Sequence, residues 1–147
     1  MEPPSTRRMS VSKSVPAEGE FLDSLAAPIA THLNIGGVPV RIAVNTERLA
    51  RKVGRYFAPF ECAPFGGGLT VVGVQGQPFF RADRLADVER QSGTPKVACY
   101  DEDGLRVIFK KRTGVVHYVR SDTFFAVGDL ERHPQQLLNL VATAFGC

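Results

Sequence analysis

Between residues 96 and 128 four short apolar-rich runs alternate with turn signals, and no other stretch restricts the fold as strongly. KVACY (96–100) and LRVIFKK (105–111) flank Asp101-Glu102-Asp103-Gly104, whose Asp-Gly step suits a hairpin turn. VVHYVR (115–120) follows Thr113-Gly114, and TFFAVG (123–128) follows Ser121-Asp122. Repeated turn-and-strand units predict an antiparallel meander, and a meander must cover its apolar side to be stable. The cover comes next. In PQQLLNLVATAF (134–145) Pro134 suits a first helical position, and Leu137, Leu138, Val141, Ala144 and Phe145 recur at helical spacing. Gly146 reads as a cap leading onward, so the expectation is either one domain closed by this helix or the front of something longer.

The earlier half reads as helices and strands in alternation. Residues 20–31 predict a short helix with Phe21, Leu22, Leu25 and Ile29 on one side, interrupted near Pro28. In LNIGGVPVRIAV (33–44) apolar residues alternate on both sides of Gly36-Gly37, which predicts a hairpin or bent strand, with Pro39 favouring an edge position. Asn45 stands where a helix cap is needed, with Glu47 in the first turn. Leu49, Val53, Tyr56 and Phe57 form the apolar stripe, and Pro59 closes the run. PFGGGL (64–69) has neither the lysine nor the hydroxyl of a phosphate loop and reads as a connection into the strand LTVVGVQ (69–75). The fold class predicted is α+β: a mainly antiparallel sheet with flanking helices, including a C-terminal covering helix. Residues 1–19 read as a flexible leader, rich in Pro, Ser and charge without periodicity, and 20–147 as a single accessory-like domain.

The candidate binding residues are basic. The formal charge is +3, and most of its excess lies outside the leader. One group, Arg48, Arg51, Lys52 and Arg55, falls mostly off the apolar stripe of the 45–57 helix; a second, Lys110, Lys111 and Arg112, stands beside Thr113-Gly114. Both are candidates for a protein or anionic partner, and a continuous patch would suit nucleic acid. Read structurally, they are a solvated helix face and a charged strand end that resists stray sheet pairing.

Catalytic signals are missing from the pattern. His32, His117 and His133 are too widely spaced for a local metal motif, and period two places His117 beside solvent-facing groups. His133 belongs to the entry of the last helix, where Gln136 is placed to reach back as in a capping box. Asp101, Glu102 and Asp103 lack the ligand positions of a calcium loop and read as solvated turn residues. Asp122 and Asp129 bracket a strand without forming an acid–base pair. Cys62, Cys99 and Cys147, odd in number and far apart, fit neither a disulfide framework nor a zinc knuckle, and the first two read as small core residues or inert thiols. There is no run of 18 apolar residues, so no membrane partner is expected; the cysteine usage sets the expected location as the reducing cytoplasm.

VNTERLARKVGRYFAPF (44–60) and GVVHYVRSDTFFAVGDLERHPQQLLNLVATAFG (114–146) resemble the amino-terminal region of bacterial HPr-kinase-related proteins, a similarity spanning roughly 33–146. In that family the region precedes a P-loop kinase domain. The resemblance implies that ATP and magnesium belong to the downstream domain, and no catalytic or cofactor-binding residue carries over to this chain. The expected role is therefore non-catalytic: a recognition or regulatory domain associated with a phosphotransfer protein. Its partner would be the downstream kinase-like domain or another protein. A second copy and a small-molecule effector are further candidate partners. The alternatives are a standalone small-molecule-binding module with a cleft between sheet and helices, or a weak nucleic-acid-binding protein.

Overall fold

The computed structural model describes residues 17–92 and 96–145; residues 1–16, the connection 93–95, Gly146 and Cys147 lie outside it. Seven strands form one mixed sheet. They are β1 (Ile29–Ile35), β2 (Val38–Val44), β3 (Leu69–Gln75), β4 (Val97–Glu102), β5 (Leu105–Lys110), β6 (Val116–Arg120) and β7 (Thr123–Gly128). Among the described residues the α-helices are α1 (Ala17–Asp23), α2 (Glu47–Phe57), α3 (Ala82–Ser92) and α4 (Pro134–Ala144). The spatial order is β1-β2-β3-β7-β6-β5-β4. The meander β4–β7 is antiparallel throughout, as its short turns require, and so is the β1–β2 hairpin. The two units join through parallel pairings of β2 with β3 and β3 with β7. The architecture is thus α+β with a mostly antiparallel sheet flanked by helices, α4 among them.

Turn chemistry explains the hairpin registers. Gly36 and Gly37 both have positive φ (60° and 89°), as a two-residue turn matched to strand twist demands. The Asn34 side chain accepts a hydrogen bond from the Gly37 amide at 2.8 Å. Asp103 and Gly104 repeat that geometry between β4 and β5. Pro39 is not on an edge strand, because β2 lies between β1 and β3. It is tolerated because Asn34–Pro39 stands one step beyond the closing Ile35–Val38 pair, where the missing N–H points away from β1. The ladder to β3 begins only at Val40, so nothing there asks for that N–H.

Each face of the sheet carries its own core. On one, Leu33, Val40, Ile42, Val71 and Ala126 meet Leu49, Val53 and Phe57 of α2 and Leu137, Leu140 and Val141 of α4. Gly73 permits this approach: a Cβ there would stand 3.0 Å from both methyl carbons of Leu137. On the other, Val74, Val107, Val116, Tyr118 and Phe125 meet Leu22 of α1 and Leu85 of α3. Alternation along β7 shows the division, with Phe125 and Val127 on one core and Ala126 on the other.

Several local expectations are corrected. The first helix starts at Ala17 and stops at Asp23, and Ile29–Thr31 belong to β1. Ala17–Gly19 are thus helical, and Glu18 is fully buried with its Oε2 accepting the Tyr100 hydroxyl at 2.5 Å. The cap of α2 is Thr46, not Asn45: its hydroxyl accepts from the Leu49 amide at 3.1 Å. Tyr56, placed on the apolar stripe, is 60% exposed. Both described cysteines, Cys62 and Cys99, are exposed. α3 was not anticipated; only Leu85 and Val88 mark its inner side.

Candidate functional site

Two surfaces concentrate polar groups. The first is a groove between α2 and α4. α2 turns Leu49, Val53 and Phe57 into the core, which leaves its basic residues on the outer side. Two of them are neutralised locally: Arg48 pairs with Glu131 at 3.9 Å and Arg51 with Glu47 at 3.8 Å. Lys52 and Arg55 form no ion pair among the described residues, and they line the groove with Tyr56, Pro134 and Leu138. Its volume is about 430 Å³. Cations beside an exposed aromatic ring and a leucine suit an anionic, partly apolar ligand.

The second basic group is elsewhere. Lys110 ends β5, and Lys111 and Arg112 stand in the turn to β6, four strand spacings from β2, or about 19 Å at ~4.8 Å per spacing. Lys111 pairs with Glu89 of α3, and Lys110 is half-buried. The fold therefore does not bring the two groups into one stripe.

The other surface is the row of carboxyl ends of β2, β3 and β7, where one network gathers residues far apart in sequence. The Asn45 side chain donates to the Gln75 carbonyl at 3.1 Å and accepts from its amide at 2.8 Å, acting as one more step of the sheet. The Gln75 side chain donates to Asp129 Oδ1 at 2.9 Å and accepts from the Glu131 amide at 2.7 Å. Glu131 in turn accepts the Thr46 hydroxyl at 2.8 Å. Sequence spacing marked Asn45 only as a cap and Asp129 only as a strand flank. Their meeting depends on parallel pairings that no local pattern encodes.

His117 is corrected most sharply. It faces the α4 side rather than solvent and is only 3% exposed, with Nε2 lacking a partner among the described residues. Burial lowers its pKa to about 4, aided by the nearby Lys110 charge and opposed by a hydrogen bond with the Gln136 backbone. It is held neutral at physiological pH. The capping-box reading of Gln136 also fails, since its Oε1 is buried without a partner and its amide donates to the His133 carbonyl at 3.1 Å. Among the described residues no three His, Cys, Asp or Glu converge as a metal site. No described helix is long and apolar enough to cross a membrane. Compared with known protein families, curated proteins and solved structures, the chain matches none.

Proposed function

We propose that this chain is a non-catalytic recognition domain that docks another protein through the groove between α2 and α4. The observation that carries this reading is the pair of unneutralised cations, Lys52 and Arg55, framing Tyr56, Leu138 and Pro134. A protein segment that presents carboxylates around an apolar side chain satisfies both halves of that groove. Aromatic and arginine anchors carry a large share of interface energy, and charge complementarity sets partner choice. The resemblance to HPr-kinase-related proteins supports a P-loop kinase-like domain as the partner class, with this chain positioning that domain and taking no part in phosphoryl transfer.

The test is calorimetric titration of the chain with a purified kinase-like domain of that class, at low and at physiological salt. The expected result is binding that weakens with salt and falls at least about tenfold in a Lys52→Glu/Arg55→Glu double variant. Arg51→Glu, which alters a cation already paired with Glu47, should change affinity by less than about twofold. Binding indifferent to the double substitution would remove the groove from the interface, and no binding at all would remove the kinase-like partner.

A further inference from the structure

The carboxyl ends of β3 and β7 carry a crevice separate from the groove. In sheets with parallel strands, a crevice opens where neighbouring strands send their following segments to opposite faces, and ligands collect there. β3 leads to α3, on the face packed by Leu22 and Leu85, whereas β7 leads to α4, on the face packed by Leu137 and Leu140. β3 and β7 are adjacent and parallel, so the crevice falls between Gln75 and Gly128. On the β2 side of β3 the corresponding gap is filled by the Asn45 amide. On the β7 side it opens into a cleft of about 560 Å³, a size suited to a small organic ligand.

The lining sets the ligand's chemistry. Phe80 and Phe109, with ring centroids 4.9 Å apart, give the cleft an aromatic wall. Asp129 supplies a carboxylate whose Oδ1 is fixed by the Gln75 amide and whose Oδ2 has no partner among the described residues. Gly76 donates to the Gly128 carbonyl at 3.1 Å, extending the ladder and leaving bare backbone along the cleft. Among the described residues no lysine or arginine lines it, so they offer phosphate and carboxylate ligands no counter-charge. We infer that the crevice binds a small cationic molecule with a flat apolar part and an N–H-rich head, such as an aryl amidine or an amine-bearing aromatic. Asp129 would accept from the head and the two phenylalanines would cover the flat part.

Isotope-edited NMR of the full chain tests this with two matched probe pairs: benzamidine against benzoate, and tryptamine against indole acetate. The cationic member of each pair should produce saturable shifts at the Gly76 and Gly128 amides and the Gln75 side-chain amide, and the anionic member should not. Asp129→Asn should lower the affinity for benzamidine about tenfold, the scale of one lost charge-assisted hydrogen bond. Equal responses to cation and anion, no saturable shift with either cation, or undiminished affinity in Asp129→Asn would each overturn the assignment. The wild-type comparison of probe pairs stands even if the substitution disturbs folding.

Discussion

The two faces of the sheet are stabilised in different ways. The α2–α4 side is closed mainly by interlocking aliphatic chains, with Leu33, Val40, Val71, Leu130 and Leu140 fully buried. The α1–α3 side is aromatic and tied by hydroxyls. Tyr118 donates to the Phe79 carbonyl at 2.5 Å and accepts from its amide at 3.1 Å, while the Tyr100 oxygen accepts from the Arg81 amide at 2.8 Å and its hydroxyl donates to Glu18. Desolvation keeps both hydroxyls protonated, above the usual tyrosine range. The difference is one of apolar content: α3 is as long as α2 and α4, yet among its described side chains Leu85 alone is a buried apolar one. α2 and α4 are eleven-residue helices that each bury three apolar side chains. α1 has seven residues and buries Leu22, and residues 76–81 are not in regular structure, so this side buries less helix surface and is pinned by polar bonds.

Substitutions should separate these two modes. The largest effect is expected from Leu140→Ala, which opens a cavity in the aliphatic face and should cost about 3 to 4 kcal/mol in chemical denaturation. A loss near 1 kcal/mol would show that this face is loosely packed after all. Next comes acid. His117 has a folded-state pKa near 4, below its ordinary 6.5, so the native state favours its neutral form. The stability it contributes is complete above pH 6.5 and is lost as the pH falls toward 4, by up to about 3 kcal/mol. Denaturation midpoints measured across that window should decline steeply in the wild type and more gently in His117→Leu. The smallest effect is expected on the aromatic face. Tyr118→Phe keeps the ring but strips the Phe79 amide and carbonyl of their partner, at about 1 to 2 kcal/mol. Its mark should be local, as faster amide exchange around Phe79 than around α4.

Local pattern carried most of the elements and little of what assembles them. β3 and β7 lie where alternation and turn residues placed them, because hairpins and short strands are specified by neighbours in sequence. The covering helix was equally legible from Pro134 and its leucines. α3 was not, because ADRLADVERQS carries few apolar residues on its buried side and Arg81 before it is no cap. Nor could the parallel joints of β3 be seen, since each pairs residues separated by a helix or by most of the meander. The candidate sites followed the same division. The basic residues of α2 were visible as a helix face, but which of them stay unpaired depended on Glu131, brought in from the far end of the chain. Gln75 gave no local signal.

Gln75 nonetheless sits at the root of α2 and α4. Its side-chain oxygen holds the Glu131 amide just ahead of α4, and Glu131 holds the hydroxyl of Thr46, from which α2 begins. The remaining end of the same amide grips Asp129 at the mouth of the crevice. A guest that drew Asp129 toward itself would tug a tether of three hydrogen bonds that passes the base of α4 and ends at the base of α2, the helices that frame Lys52 and Arg55. By thermodynamic reciprocity, any protein seated on that far side would in turn tighten or loosen the hold on the guest.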